Sequence, residues 1–340
     1  PTAHFNGKID QPRLWNCALE RARLETGAAP DNLIGSWDFA LDIATQQVRD
    51  TAPQGHHGHT VNMPARGMSG HNWNGDEVDF KAAPSHYGAI HFHDDDLEDA
   101  GWDADFEWTV PAAWPSGVYA AHLSAAGAED YIPFYTTPAP AAPRARIAFL
   151  VPTVTYTAYA NQQFKDLVRA TLAGGDDEKR ERPNDQYMRA HNLLSLYDLH
   201  SDGSGVCYSS RRRPIVNMRP GYRNPASSLA ATWPHLLNAD LHLLHWLDGA
   251  AFAYDVITDD DLHREGSGAL EPYAVIISGT HPEYWTAPML SGLESYLGTG
   301  GRIMYLGGNG FYWVTSFDPQ RPHLIEVRRS NGSRAWDANP

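Results

Sequence analysis

The sequence predicts a multidomain protein of the β plus α/β class, a β-sandwich portion leading into a parallel α/β portion. Three observations predict it. Through residue 142, short strand-like runs are separated by clusters of Gly, Pro, Asn and Asp, the punctuation of a sandwich. Residues 136–143 are then rich in Pro and Ala, a stiff and extended linker composition. From Arg146 onward, continuous apolar runs alternate with helix-like stretches. Strands that are apolar throughout and alternate with helices belong to a parallel sheet covered on both faces.

Taken in order, the clearest strands of the first half are 37–39, 89–92, 106–110, 117–123 and 131–134, with a break expected between 75 and 90. That break divides the chain into segments 1–80, 81–142 and 143–340. In the last segment the buried-type runs are 146–152, 252–258, 273–278 and 302–306. Helices are expected at 162–172, 240–247 and 287–297, the last stopped by Gly300 and Gly301. No internal repeat and no low-complexity tail is seen.

Composition narrows the function. At 340 residues, with 42% hydrophobic and 20% charged residues, the chain has the make-up of a globular protein with two or three cores. No apolar run approaches the ~20 residues of a membrane-spanning helix. A net charge of −15 argues against a nucleic-acid partner, which needs a basic footprint. The only basic cluster, Arg211-Arg212-Arg213 beside Pro214, reads as a loop meeting an acidic surface or subunit. Two cysteines, Cys17 and Cys207, make no disulfide framework and point to a reducing cytoplasm. The chain begins at Pro1 without an initiator Met, as expected of a processed chain or a piece of a longer one. Asn331-Gly332-Ser333 matches a glycosylation acceptor and carries little weight in such a chain.

Four short motifs carry the candidate chemistry. Thr155-Tyr156 follows the first apolar run of the α/β half. His281-Pro282-Glu283-Tyr284-Trp285 follows the third, and Gly307-Gly308-Asn309-Gly310 follows the fourth. Leu196-Tyr197-Asp198 lies between and is harder to place. Ligands of open α/β sheets bind just beyond the carboxyl ends of the strands. A phenol, a carboxylate, an imidazole and an amide arriving there suit a hard metal ion. Tyr156, Tyr197 and Glu283 form a candidate facial set for ferric iron. A phenol with an ordinary pKa near ~10 is not a ligand until a trivalent ion displaces its proton. Three hard anionic oxygens match a hard cation, nearly neutralise Fe³⁺, and leave positions for water and substrate. The competing reading makes both tyrosines half-buried core residues with satisfied hydroxyls.

Pro282 holds His281 and Glu283 rigidly beyond the strand end, where His281 can shuttle protons without ligating the ion. The competing reading is a helix entry before Thr286, with Glu283 near the positive end. The glycine turn lets the backbone or the Asn309 amide approach a ligand. It is no dinucleotide fingerprint, and no Walker sequence, Gly-x-Ser-x-Gly elbow, Cys-x-x-Cys or His-Glu-x-x-His occurs. Cys207 does not follow a parallel-type strand, which argues against a cysteine amidotransferase triad. Two histidine clusters are weaker metal candidates: His56-His57-Gly58-His59, and His91-Phe92-His93 followed by Asp94, Asp95 and Asp96. The spacing of the second puts both rings on one strand face.

The segments 273–285, 307–313 and 147–161 resemble the large subunit of the N,N-dimethylformamidase family. Residues 5–16 are similar to the closing strand of a laminin-G-like sandwich in that subunit, and 57–73 to the segment after it. The resemblance spans essentially the whole chain. It implies a laminin-G/Ig-like β-sandwich part, with an Ig-like segment at 81–142, followed by a flavodoxin-like, glutamine-amidotransferase-like α/β catalytic domain. It further implies an amidohydrolase with one iron held by two tyrosines and a glutamate. These map to Tyr156, Tyr197 and Glu283, with His281 beside the ligands and Asn309 orienting substrate. Tyr159 is the rival of Tyr156, and Tyr187 and Tyr208 are rivals of Tyr197. The family's large subunit is about twice this length and works with a small helical subunit in a larger hetero-oligomer. This chain would be its middle section. The implied reaction is hydrolysis of N,N-dimethylformamide to dimethylamine and formate, with Fe³⁺ as Lewis acid and with Tyr284, Trp285, Phe311, Tyr312 and Trp313 walling an apolar pocket. The alternative is a non-catalytic carbohydrate-binding or interaction module on a degenerate amidotransferase-like scaffold.

Overall fold

The computed structural model describes residues 4–26, 30–163, 183–222 and 234–328. The first part contains strands β1 (Gly7–Asp10), β2 (Arg13–Trp15), β3 (Leu33–Asp38), β4 (Gln47–Asp50), β5 (Gly58–His59), β6 (Ala65–Met68) and β7 (Ala89–Phe92), with helix α1 (Arg21–Thr26) between β2 and β3. They form two antiparallel sheets, β2-β3-β4-β5 and β1-β7-β6. Because β7 pairs with both β1 and β6, residues on either side of the expected 80/81 division share one sheet. Arg66 of β6 ties the two sheets together. Its buried guanidinium donates to the carbonyls of Phe39, Leu41, Asp42, Thr45 and Gln47, all in or beside the β3–β4 connection.

Strands β8 (Gly117–Ala125) and β9 (Ala128–Thr136) form a two-stranded hairpin. Its two-residue turn, Ala126-Gly127, has φ of 49° and 82°, the positive pair that matches the twist of the flanking strands. The strand expected at 106–110 is not formed. That segment is exposed on both faces and ends at Pro111. Trp108 instead packs its ring edge-on against Trp114 and Phe134, at 4.9 and 5.9 Å.

The α/β half contains β10 (Ile147–Val151), helix α2 (Thr153–Ala158), α3 (Pro183–Ala190), β11 (Tyr208–Ser210), α4 (Leu237–Gly249), β12 (Tyr254–Thr258), α5 (Asp259–Glu265), β13 (Val275–Ser278), β14 (Tyr284–Thr286), α6 (Ala287–Gly298), β15 (Ile303–Met304), β16 (Trp313–Phe317) and β17 (Leu324–Glu326). The four expected apolar runs become the parallel sheet β12-β10-β13-β15. Its core includes Phe149, Val256, Ile276, Leu262 and Met289, all essentially buried. A second sheet, β11-β17-β16-β14, was not anticipated; β14 and β16 run parallel and the other pairs antiparallel.

Helix α4 extends the stretch expected at 240–247, and α6 matches 287–297 closely. Thr286 caps α6 by accepting from the Met289 amide, so Glu283 is not the residue that satisfies this helix start. Gly300, at φ 96°, turns the chain away after it. The helix expected at 162–172 falls mostly on 164–172, outside the described residues, as does Asn331.

Candidate functional site

Helix α2 leaves β10 at Pro152, and all six of its residues are buried. Two tyrosines three positions apart leave it in different directions. Tyr156 donates its hydroxyl to the Asp240 carboxylate of α4, which also accepts the Thr280 amide at 2.6 Å. Burial, followed by the charge of Asp240, pushes the Tyr156 phenol well above its ordinary range. Burial likewise raises the Asp240 carboxyl. Tyr159, the residue that ends α2, points instead into a cluster with Tyr197, His281 and Glu283.

There the Tyr159 hydroxyl donates to Glu283 Oε2 at 2.5 Å, and the Tyr197 hydroxyl donates to Glu283 Oε1 at 2.7 Å. The two phenol oxygens are 2.9 Å apart. His281 Nε2 lies 3.1 Å from the Tyr159 oxygen and 3.3 Å from Glu283 Oε2. The structure therefore brings together Tyr197, Glu283 and His281 of the expected set. It places Tyr159, the rival, where Tyr156 was expected, because Tyr156 is taken by Asp240. Tyr187, on α3, is largely exposed, and Tyr208 starts β11 beside Arg328.

Local bonds aim each side chain. Glu283 and Tyr284 both donate their amides to Thr155 Oγ1, at 3.1 and 3.2 Å, from a threonine with no exposed surface. Tyr197 is set by a knotted turn. The Asp198 carboxylate accepts Ser195 N and Oγ at 2.9 and 2.7 Å, Ser195 Oγ accepts Tyr197 N, and Leu196 N donates to Ala158 O at the end of α2. Gly308 donates its amide to Thr280 O, and a Cβ there would lie 3.4 Å from His281 Nδ1. At Gly307 a Cβ would collide with the Pro282 ring, which is why this turn needs glycine. Asn309 follows directly and is exposed.

Among the five aromatic residues expected to line the pocket, Tyr284 and Trp285 are core residues, each 1% exposed. Phe311 stacks on Trp285 at 4.5 Å, and it and Tyr312 remain exposed.

His235 was not foreseen, since no motif surrounds it. Its ring lies 5.2 Å from that of His281 and 5.4 Å from that of Tyr159. Burial, aided by His281, lowers its pKa to about 4, so it is neutral at physiological pH. Burial alone would raise the Glu283 carboxyl, but hydrogen bonds from His281, Tyr159 and Tyr197 outweigh it and hold the group below the ordinary value. Tyr159 is pushed far up by burial and then by Glu283, and Tyr197 by burial and then by Tyr159. Two phenols handing their protons to one carboxylate form an all-oxygen set that a hard cation can occupy once those protons leave.

A separate cleft of about 970 Å³ is lined by Tyr156, Tyr135, Trp102 and Met218. The arginine triplet beside it is engaged within the molecule. Arg211 pairs with Asp260 at 2.6 Å and Arg212 with Asp99 at 3.4 Å. Arg213 is buried against the carbonyls of Leu194, Ser210 and Ala160.

Residues 65–340 match a family described as N,N-dimethylformamidase beta subunit-like, C-terminal. The chain is 40% identical over 351 residues to the N,N-dimethylformamidase beta subunit of Alcaligenes sp and 42% identical over 356 residues to that of Paracoccus aminophilus. Each alignment covers 99% of this chain and 45% of the relative. The chain thus spans less than half the length of the curated relatives it matches. With four-fifths of its residues inside the family model and both relatives aligned from end to end of it, the chain belongs to the N,N-dimethylformamidase beta subunit-like family.

Proposed function

We propose that this chain carries the active site of an iron-dependent amidohydrolase that cleaves N,N-dimethylformamide to dimethylamine and formate. The observation that carries the reading is the convergence of Tyr159, Tyr197, Glu283 and His281 in one buried cluster, in a chain about 40% identical to proteins named for that reaction. Tyr159, Tyr197 and Glu283 would hold the iron, with Tyr159 in the place first assigned to Tyr156. A ferric ion supplies Lewis acidity toward the formyl oxygen or toward water.

The chain's own groups do the rest. His281, within reach of both Tyr159 and Glu283, takes a proton from the attacking water and returns it to the departing amine nitrogen. Thr155 and the Ser195–Asp198 turn hold Glu283 and Tyr197 at fixed geometry, which is the positioning such chemistry requires. Asn309 donates to the oxyanion that develops on the former carbonyl oxygen, a contact typically worth about 3 kcal/mol. Phe311 and Tyr312 offer exposed apolar surface for the two methyl groups. A substrate without hydrogen-bond donors provides little binding energy, so a weak KM is expected.

We further read the N-terminal sheets as laminin-G/Ig-like sandwich elements and the parallel sheet as flavodoxin-like. We propose a cytoplasmic hetero-oligomer with a small helical subunit. Among the described residues no helix is long and apolar enough to cross a membrane.

Iron content and the visible spectrum test the reading. About one iron per chain with a phenolate-to-iron charge-transfer band supports it, and a colourless protein that takes up no iron overturns it. Glu283→Ala should lose both iron and turnover. Iron retained at the wild-type level in that variant would remove Glu283 from the ligand set.

A further inference from the structure

A second cluster of chemistry-bearing side chains lies outside that site. His91 lies in β7, and His93 follows the strand directly. Asp95 and Asp96 come next in the chain, while His200, Asp202 and Ser204 come from the segment that begins three residues after Tyr197. His93 Nδ1 is 3.1 Å from Asp96 Oδ2, and His200 Nε2 is 4.0 Å from Asp96 Oδ1. His91 Nε2 is 2.7 Å from Asp202, and His93 Nε2 is 3.0 Å from Ser204 Oγ. The donor atoms of His93, Asp96 and His200 all lie within 4.8 Å of one another, and so do those of His91, His93 and Asp202.

We propose that His93, Asp96 and His200, flanked by His91 and Asp202, form a structural site for a divalent ion of the zinc class. Such an ion would clamp the β1-β7-β6 sheet to the loop that positions Tyr197.

Three features support it, and binding would also turn one of the stacked His93 and His200 rings, whose centroids are 3.6 Å apart and planes within 4° of parallel, so that both nitrogens face one ion. Asp95 Oδ1 is 2.7 Å from His200 Nδ1, and this outer carboxylate fixes the tautomer that leaves Nε2 to ligate. His91 Nδ1 is buried with no hydrogen-bond partner among the described residues, whereas buried polar atoms are normally matched. Finally, the nitrogen-rich set differs from the all-oxygen tyrosine–glutamate cluster and suits a borderline ion rather than a hard one.

The test uses the whole protein, stripped with a chelator and titrated with zinc alone, with cobalt(II) as a coloured substitute. One equivalent should bind in wild type and in Glu283→Gln, raising the melting temperature by on the order of 5 °C at saturation. His93→Gln and His200→Gln should each lose that rise. Asp95→Asn, which removes no ligand, should weaken binding roughly 10-fold with the fold retained. If zinc gives no rise in folded wild type, or the same rise in a folded His93→Gln/His200→Gln double variant, the site does not exist. Loss of zinc binding in Glu283→Gln with its retention in His93→Gln would place the ion at the other cluster and overturn the proposal equally.

Discussion

Tyr156 and Tyr159 leave the same short helix for different partners, and that divergence decides what each residue does. Tyr156→Phe should keep the colour of the proposed iron centre. It leaves the nearly inaccessible Asp240 carboxylate without its phenol donor, a loss of about 1–3 kcal/mol in unfolding free energy. Tyr159→Phe should strongly weaken the charge-transfer band, because one of the two proposed phenolate ligands is lost. Equal loss of colour in both variants would return the ligand role to Tyr156. The sequence could not separate the two phenols. What separates them is the end of α2 and a carboxylate 84 residues away, neither of which spacing encodes. His281 and Glu283 were legible because Pro282 fixes them beyond a strand that its own apolar run announces. Thr155 and His235 were not, since a threonine accepting two amides looks like any buried threonine.

At the level of elements, the parallel sheet was readable because each strand is a continuous apolar run bounded by turn residues. The second sheet was not. Its strands are three to five residues long, and β14 lies inside the His281–Trp285 motif, too short to show a strand's alternation. The run at 106–110 alternates correctly for a strand yet pairs with no strand among the described residues, and its Trp108 ring packs on Trp114 and on Phe134 of the hairpin instead. Where α5 meets α6, His263 Nδ1 lies 2.8 Å from Thr286 Oγ1, the cap of α6. Burial holds the His263 pKa below its ordinary 6.5, with Asp260 opposing. The folded state therefore prefers the neutral ring. Above pH 6.5 the ring is neutral in both states and the contribution is fully present. As pH falls, the unfolded chain takes up its proton first, and stability drops until the folded ring also titrates. Urea unfolding at about pH 7.5 and about pH 5.5 should show this decline in wild type and a smaller one in His263→Gln.

Across the whole molecule, two arginines join what the sequence divides. A break was expected near 75–90, yet the stretch between β6 and β7 joins two strands of one sheet. Arg66 fastens that sheet to the β3–β4 connection. Arg328, just beyond β17, pairs with Glu326 at 2.6 Å and donates back to the carbonyls of Arg66 and Gly67. The carboxylate of Glu326 has no exposed surface, so it and the neighbouring Tyr208 raise the affinity of Arg328 for its proton despite burial. Arg328→Ala should leave the buried Glu326 carboxylate without this cation and cost about 3–5 kcal/mol. Arg328→Ala combined with Glu326→Leu should recover much of that loss in the unfolding midpoint. No recovery would mean the guanidinium matters through the β6 carbonyls alone.

The oxygen cluster draws Tyr159 and Glu283 from positions 124 residues apart, and Tyr197 from 38 residues beyond Tyr159. Tyr159 ends the helix after β10 and Glu283 follows β13, so the cluster assembles only once those two strands are paired. With the proposed iron site, a nascent or partly folded chain would offer the metal no chelating pocket, and loading would follow folding rather than guide it. Refolding should proceed at one rate with or without iron, whereas unfolding of the loaded protein should slow. A refolding rate that rises with iron concentration would show that the metal recruits its ligands from a looser chain.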